Sequence, residues 1–278
     1  MARSKKTEQS RSEHILTPRR PAPPLVRLLS YQVGNMQQIG TRPRQEDSFA
    51  FANALDVYDM KTQGLLAIMA DGMGGMQSGK QVSEAAAQAM VAEFNAMDRE
   101  GDLAQQLKEA VIRTNDQLYS RFGGSGGTTI VACLIYREQL YFACVGDSFL
   151  YLKRNDGLFR LNREQTYKHQ LYMDNIREGC MDPSTANADP DGSRLSQFVG
   201  MDELEDVDYL RRPLPLQNGD VLLLCSDGVG GVLTTRTVLD CLRASSSAEA
   251  CARLEQEVQR QGRVHQDNYT ALVIRCTY

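Results

Sequence analysis

Histidine is scarce in this chain: His14, His169 and His265 are its only three, far apart in sequence, which argues against a histidine-rich zinc site. No C-x-x-C pair occurs among Cys133, Cys144, Cys180, Cys225, Cys241, Cys251 and Cys276. Their odd count and mostly apolar neighbours mark them as reduced thiols of the core. No uninterrupted apolar run approaches the ~18 residues of a transmembrane helix. The N-terminal Leu25-Val26-Arg27-Leu28-Leu29 is too short and too charged for a secretory core. A cytoplasmic protein with no membrane span is therefore expected. No segment recurs with the period of about 20–50 residues that would signal a solenoid.

A basic excess is also missing from the body of the chain. Residues 1–30 carry seven basic side chains against Glu8 and Glu13, leaving 24 basic and 33 acidic side chains in 31–278. An acidic body does not suit a nucleic-acid binder. The basic leader ends in Pro18-Arg19-Arg20-Pro21-Ala22-Pro23-Pro24, which reads as a disordered, extended linker that either touches acidic surfaces or is merely solvated. The fold is expected to begin near Tyr31. With 42% hydrophobic and 24% charged residues in 278, the composition is that of a soluble globular protein able to bury a sizeable core.

The apolar run Leu65-Leu66-Ala67-Ile68-Met69 reads as a buried strand that stops at Ala70-Asp71-Gly72-Met73-Gly74-Gly75, a carboxylate followed by a glycine-rich turn. Val221-Leu222-Leu223-Leu224-Cys225-Ser226-Asp227-Gly228 repeats the arrangement. Further strands are expected at 31–40, 47–54, 128–135, 140–145, 149–152, 158–161, 220–225 and 269–275. Apolar stripes predict helices over 78–97, 103–122, 235–244 and 247–261. Residues 163–194 have no periodicity and are too long for an ordinary connector, so they read as a flap. This order of elements predicts an α+β protein with antiparallel sheets.

Acids recur at the strand ends. Arg42-Pro43-Arg44-Gln45-Glu46-Asp47 precedes a strand, and alternation would put Arg42, Arg44 and Glu46 on one face with Asp47 opposite. Asp147 lies in Gly146-Asp147-Ser148, Asp227 ends a strand, and Gln266-Asp267-Asn268 precedes the last one. Carboxylates so placed can supply the hard oxygen ligands of Mg²⁺ or Mn²⁺. Two such ions roughly 3.5–4 Å apart would activate a water for in-line attack on phosphorus, with an arginine clamping the phosphate. Taken singly, each acid reads equally well as a turn former or a surface charge, and spacing alone does not bring them together.

Across about Tyr31 to Tyr278 the chain resembles the metal-dependent Ser/Thr protein phosphatases of the type-2C, or PPM, family, in its bacterial form. The match rests on Arg42-x-x-x-Glu46-Asp47, Asp71-Gly72-Met73-Gly74-Gly75, Gly127-Thr128-Thr129, Val145-Gly146-Asp147-Ser148, Gly219-Asp220 with Ser226-Asp227-Gly228, and Asp267-Asn268-Tyr269-Thr270, in the family's order. The resemblance implies a four-layer α-β-β-α sandwich, two antiparallel sheets face to face with helices outside. Asp71 would bridge two ions, Mn²⁺ or Mg²⁺. The Gly72 carbonyl, Asp227 and Asp267 would complete one ion's ligands, and Glu46 would bind the other. Asp47 would hold metal-bound water, Arg42 the phosphate, and Asp147 with Asp227 a third, weaker ion. Phosphorylated proteins, a protein kinase and its substrates among them, would be the partners of a monomeric enzyme.

The chain departs from the family at two places. Met73 stands where some members have a histidine proposed as general acid, and methionine has no proton to give. Asn162-Arg163-Glu164-Gln165-Thr166 replaces a Thr-x-Asp-His-Ser run that introduces the flap. Two other readings are a pseudophosphatase that docks phosphoproteins, which should lack a core carboxylate, and a phosphatase confined to one regulator.

Overall fold

The strand run that the sequence marks most strongly, Leu65–Ala70, is buried along its whole length because both of its faces are covered. The computed structural model describes residues 28–74, 78–179 and 189–278. Most of the 1–30 leader, Gly75, Cys180 and the middle of the 163–194 segment lie outside the described residues.

In chain order the elements are β1 (Ser30–Gln38), β2 (Ser48–Ala52), α1 (Val57–Thr62), β3 (Leu65–Ala70), β4 (Gly72–Met73), α2 (Ser78–Ala96), α3 (Leu103–Phe122), β5 (Gly127–Thr128), β6 (Ile130–Tyr136), β7 (Gln139–Val145), β8 (Phe149–Arg154), β9 (Gly157–Arg160), α4 (Tyr167–Arg177), β10 (Asp208–Tyr209), β11 (Leu214–Pro215), β12 (Val221–Cys225), α5 (Asp227–Gly230), α6 (Thr235–Leu242), α7 (Ser247–Arg260) and β13 (Tyr269–Thr277). One sheet runs β1-β13-β12-β8-β9. The other runs β10-β7-β6-β3-β2, with β11 also on β7, and every described pairing is antiparallel.

Alternation along the strands builds four layers. Leu66, Ile68 and Ala70 face α2 and α3, packing with Val82, Met90, Phe94, Leu107 and Val111. Leu65, Ala67 and Met69 point the other way and meet Leu222, Leu224, Leu272 and Ile274 of the second sheet. Beyond that sheet, Val221, Leu223, Ala271 and Val273 pack on Val238, Leu242, Leu254 and Val258 of α6 and α7. The α-β-β-α sandwich is therefore present. Cys133, Cys144, Cys225, Cys241, Cys251 and Cys276 are free and buried.

Three expectations change. Residues 39–46 form turns and bends, so the alternating faces proposed for Arg42, Arg44 and Glu46 do not exist. Gly40 takes a left-handed conformation (φ 64°) and Pro43 interrupts the stretch. The 163–194 segment contains a helix, α4, capped by Thr166 accepting from the His169 N–H, with no buried residue to give it an apolar stripe. Its ends are tied by hydrogen bonds from Tyr167 N–H to the Arg194 carbonyl (2.8 Å) and from Lys168 N–H to the Gly192 carbonyl (2.9 Å). Lastly, α1, capped by Asp56, buries only Met60 and carries no periodic signal.

Candidate active site

Antiparallel register brings the acidic strand ends to one edge of the sandwich. Ala70 pairs with Ser48, Met69 with Val131, and Ile130 with Val145 in one sheet. Cys225 pairs with both Ala271 and Phe149 in the other. Asp47 therefore precedes, and Asp71, Asp147 and Asp227 follow, strands that terminate at the same end, where Asp267 also enters β13. Arg42, Glu46, Asp71, Gly72, Met73, Asp147, Asp227 and Asp267 line one cleft of about 340 Å³, with Thr129, Leu195 and Asn268. Every sequence-expected site residue except Asp47 borders that cleft, and Asp47 lies behind its wall, fully buried.

The backbone at Asp71 is held from three directions. Its carbonyl accepts from Thr128 Oγ1 and from Thr129 N–H, both at 2.9 Å, and its N–H donates to Thr129 Oγ1 at 3.1 Å. The next residue must be glycine for lack of space. A Cβ on Gly72 would run into the Gly79 carbonyl at the start of α2 and come within 2.6 Å of the Glu46 carbonyl. Glu46 is fixed through its main chain: its N–H donates to Asn268 Oδ1 at 2.7 Å, and its carbonyl accepts from Ser83 Oγ at 2.5 Å. Asn268 Nδ2 also donates to the Ile39 and Arg44 carbonyls, stapling the whole 39–46 turn to the start of β13. That role was not assigned from sequence, where the Asp267-Asn268 pair carried only the metal expectation.

Burial pushes the Asp71 carboxyl well above the usual range, and the charges of Asp47, Asp227, Asp147 and Asp267 push the same way. Asp47 is raised to about 6 by burial against hydrogen bonds from Thr270 and Ser226, and Asp147 to about 7 by burial and then the Asp227 charge. Asp227 is raised by its surroundings and by Asp267, although it meets solvent at the cleft mouth. Arg42, largely exposed at the rim, pairs with Asp267 at 2.5 Å. An ion pair so exposed holds little free energy, about 0–1 kcal/mol, leaving the guanidinium available to a more highly charged anion.

The crowding of carboxylates, with Asp47 Oδ1 enclosed and without a hydrogen-bond partner, is the environment that hard divalent cations neutralise. Among the described residues no three His, Cys, Asp or Glu side chains form a ready-made metal cage. An open set of this kind fits Mg²⁺ or Mn²⁺, since Mg²⁺ in particular is held through a few carboxylates and keeps much of its water. Met73 lines the cleft and, among the described residues, no histidine does.

Comparisons with known proteins agree with this geometry. The family model "Protein phosphatase 2C" matches residues 31–178. The chain is 30% identical over 199 residues to the serine/threonine phosphatase stp of Listeria welshimeri, covering 69% of this chain and 77% of that protein. It is 30% identical over 216 residues to the serine/threonine protein phosphatase PstP of Mycobacterium tuberculosis, covering 75% of this chain and 40% of that longer one. The crystal structure of the catalytic domain of PstP in complex with two manganese ions superposes with a TM-score of 0.72 at 26% identity, covering 90% of this chain and 100% of that one. Because the family match runs from β1 through α4 and takes in Arg42, Glu46, Asp47, Asp71 and Asp147, the chain belongs to the protein phosphatase 2C family of metal-dependent serine/threonine phosphatases.

Proposed function

We propose that this cleft hydrolyses phosphoserine and phosphothreonine monoesters of proteins, with Glu46, Asp71, the Gly72 carbonyl, Asp227 and Asp267 holding two Mn²⁺ or Mg²⁺ ions. The observation that carries the reading is the gathering of Asp71, Asp147, Asp227 and Asp267 with Glu46 around one cleft, Arg42 at its rim. Bound there, the two ions would supply an acidified water and charge neutralisation at phosphorus. Arg42 exchanges Asp267 for the substrate phosphate and clamps two of its oxygens. Asp47, anchored behind the wall, would steady the water that the ions hold. Met73 has no proton for the leaving alkoxide, so protonation falls to water or another group in the cleft. Asp147 and Asp227 together would hold a third, weaker ion.

The phosphatase unit is taken as 31–278, with 163–194 as its flap and 1–30 as a leader. Phosphoserine and phosphothreonine proteins are the products of Ser/Thr kinases, so a kinase and its substrates are the inferred clients, acted on by a monomer. A pseudophosphatase is disfavoured because no core carboxylate is replaced. The test is hydrolysis of a phosphothreonine peptide with Mn²⁺ and with chelator, for wild type and Asp71→Asn. Metal-dependent turnover lost in Asp71→Asn supports the reading, and a folded wild type inert with Mn²⁺ and Mg²⁺ overturns it.

A further inference from the structure

Asp47 is gripped by two hydroxyls from the second sheet. Thr270 Oγ1 donates to Asp47 Oδ2 at 2.7 Å, and Ser226 Oγ donates to the same oxygen at 3.1 Å. Ser226 Oγ in turn accepts from the Thr270 N–H at 3.0 Å. All three side chains are fully buried. Each hydroxyl has one proton, and both are committed to one carboxylate oxygen. The other oxygen, Oδ1, is enclosed and has no hydrogen-bond partner.

The position of Ser226 makes the arrangement more pointed. It is the residue before the short helix α5, where a serine hydroxyl commonly accepts from the helix's first N–H groups. Here it makes no such cap, and its proton goes across the sheet interface to Asp47 instead. Thr270 pairs with Gln37 in β1, and Gln37 Nε2 donates to the Asp47 carbonyl at 3.1 Å. Asp47, which enters β2 beside the Asp71 end of β3, is therefore tied by its side chain to β12 and β13 of the other sheet, and by its carbonyl to Gln37 of β1 and to Lys80 of α2, whose Nζ donates at 2.9 Å.

We propose that Ser226 and Thr270 are positioning residues for Asp47: they saturate Oδ2, fix the carboxylate's rotation, and leave Oδ1 as its one uncommitted acceptor. This rests on the phosphatase reading above and deepens it. The clasp sets the relative placement of the two sheets' carboxylates at the point where they must act together. Neither hydroxyl touches substrate.

The test uses the full chain, stripped with chelator and titrated with Mn²⁺ by calorimetry, beside kcat and KM on a phosphothreonine peptide. Thr270→Val removes the hydroxyl at nearly constant shape, Thr270→Ser retains it, and Ser226→Ala removes the partner. Residues that orient ligands from behind lose about 10–100-fold in metal affinity or activity when replaced. A loss of that size is expected in Mn²⁺ affinity or kcat for Thr270→Val, with KM unchanged and Thr270→Ser close to wild type. In an Asp47→Asn background, Thr270→Val should add almost nothing, because the group it positions is already altered. If Thr270→Val does not fold, Ser226→Ala with Ser226→Ala/Asp47→Asn carries the same comparison. Folded hydroxyl-deleted variants that match wild type in Mn²⁺ affinity and kcat overturn the clasp, as does a loss undiminished by Asp47→Asn. A wild-type chain that neither binds Mn²⁺ nor turns over peptide overturns the phosphatase reading, and the clasp with it.

Discussion

Thr129 Oγ1 lies 2.8 Å from Ser148 Oγ, a buried contact that joins the start of β6, beside Asp71, with the start of β8, just after Asp147. Thr129 Oγ1 already accepts from the Asp71 N–H. The two hydroxyls therefore link the main chain of Asp71 to the neighbour of Asp147.

Removing that link should be felt first in stability. Thr129→Val leaves the Asp71 N–H without its acceptor and Ser148 without its partner, and an abandoned donor of this kind costs about 1–3 kcal/mol. Thr129→Ser keeps both bonds and should stay within about 1 kcal/mol of wild type. Thermal denaturation of the chelated proteins measures both, and equal melting temperatures for Thr129→Val and wild type would remove the link's structural significance.

Gly72 makes the second prediction, on space alone. Its Cα faces the Gly79 carbonyl and the Glu46 carbonyl, so Gly72→Ala forces β4 away from α2 or from the Glu46 turn. Overpacking of this kind costs about 1–3 kcal/mol. Either movement also shifts the Gly72 carbonyl, so Mn²⁺ affinity should fall together with stability. Calorimetric titration of Gly72→Ala showing wild-type affinity would mean that the turn absorbs a methyl group freely.

What could be read from sequence were the strands buried on both faces, because continuous apolar runs such as Leu65–Met69 and Val221–Cys225 have few alternative explanations. Their ends locate Asp71 and Asp227 at once. The elements missed carry no such signal: α4 buries nothing, α1 buries only Met60, and β4, β5, β10 and β11 are two residues each. Around Arg42, alternation misled because it presumes a strand where Gly40 and Pro43 make turns. The positioning contacts were illegible for a different reason. Ser226 reaches Asp47 across 179 residues and Asn268 reaches Glu46 across 222, distances that local pattern cannot see. The carboxylates are found by where strands stop; their supports appear only once the sheets are stacked.

At the opposite end of the same sheet, Asp220 should matter for stability and not for catalysis. It is buried, accepts from Arg154 Nε at 2.9 Å and Nη2 at 2.6 Å, and accepts from the Gln217 N–H at 2.8 Å. Asp220→Ala strands a partly buried guanidinium and a turn N–H, at a cost of about 3–5 kcal/mol by analogy with other broken buried pairs. Because β8 and β12 carry this pair at the ends remote from Asp147 and Asp227, kcat per folded molecule should be unchanged. Urea unfolding alongside phosphopeptide turnover separates the two effects.

The chelated protein should become more stable as pH falls from about 8 to about 5, the reverse of ordinary acid sensitivity. In the fold Asp47 is raised to about 6 and Asp147 to about 7, and Asp71 and Asp227 are raised as well. Unfolded, each returns to about 3.9. Above the folded value these groups are charged in both states, and the folded state bears the full penalty of burial and mutual repulsion. As pH falls through about 7 and then 6 the folded protein takes up protons that the unfolded chain does not, so the penalty is relieved. Glu249, held below its ordinary range by Ser245 and Arg253, acts in the opposite sense but titrates beneath this window. Bound Mn²⁺ would neutralise the same carboxylates and compete with those protons, so the metal-loaded protein should lose stability across the range in which the chelated one gains it. Melting temperatures at pH 8, 7, 6 and 5, with chelator and with saturating Mn²⁺, test this directly: curves that run parallel would mean that the carboxylates at the cleft are not the residues the ion engages.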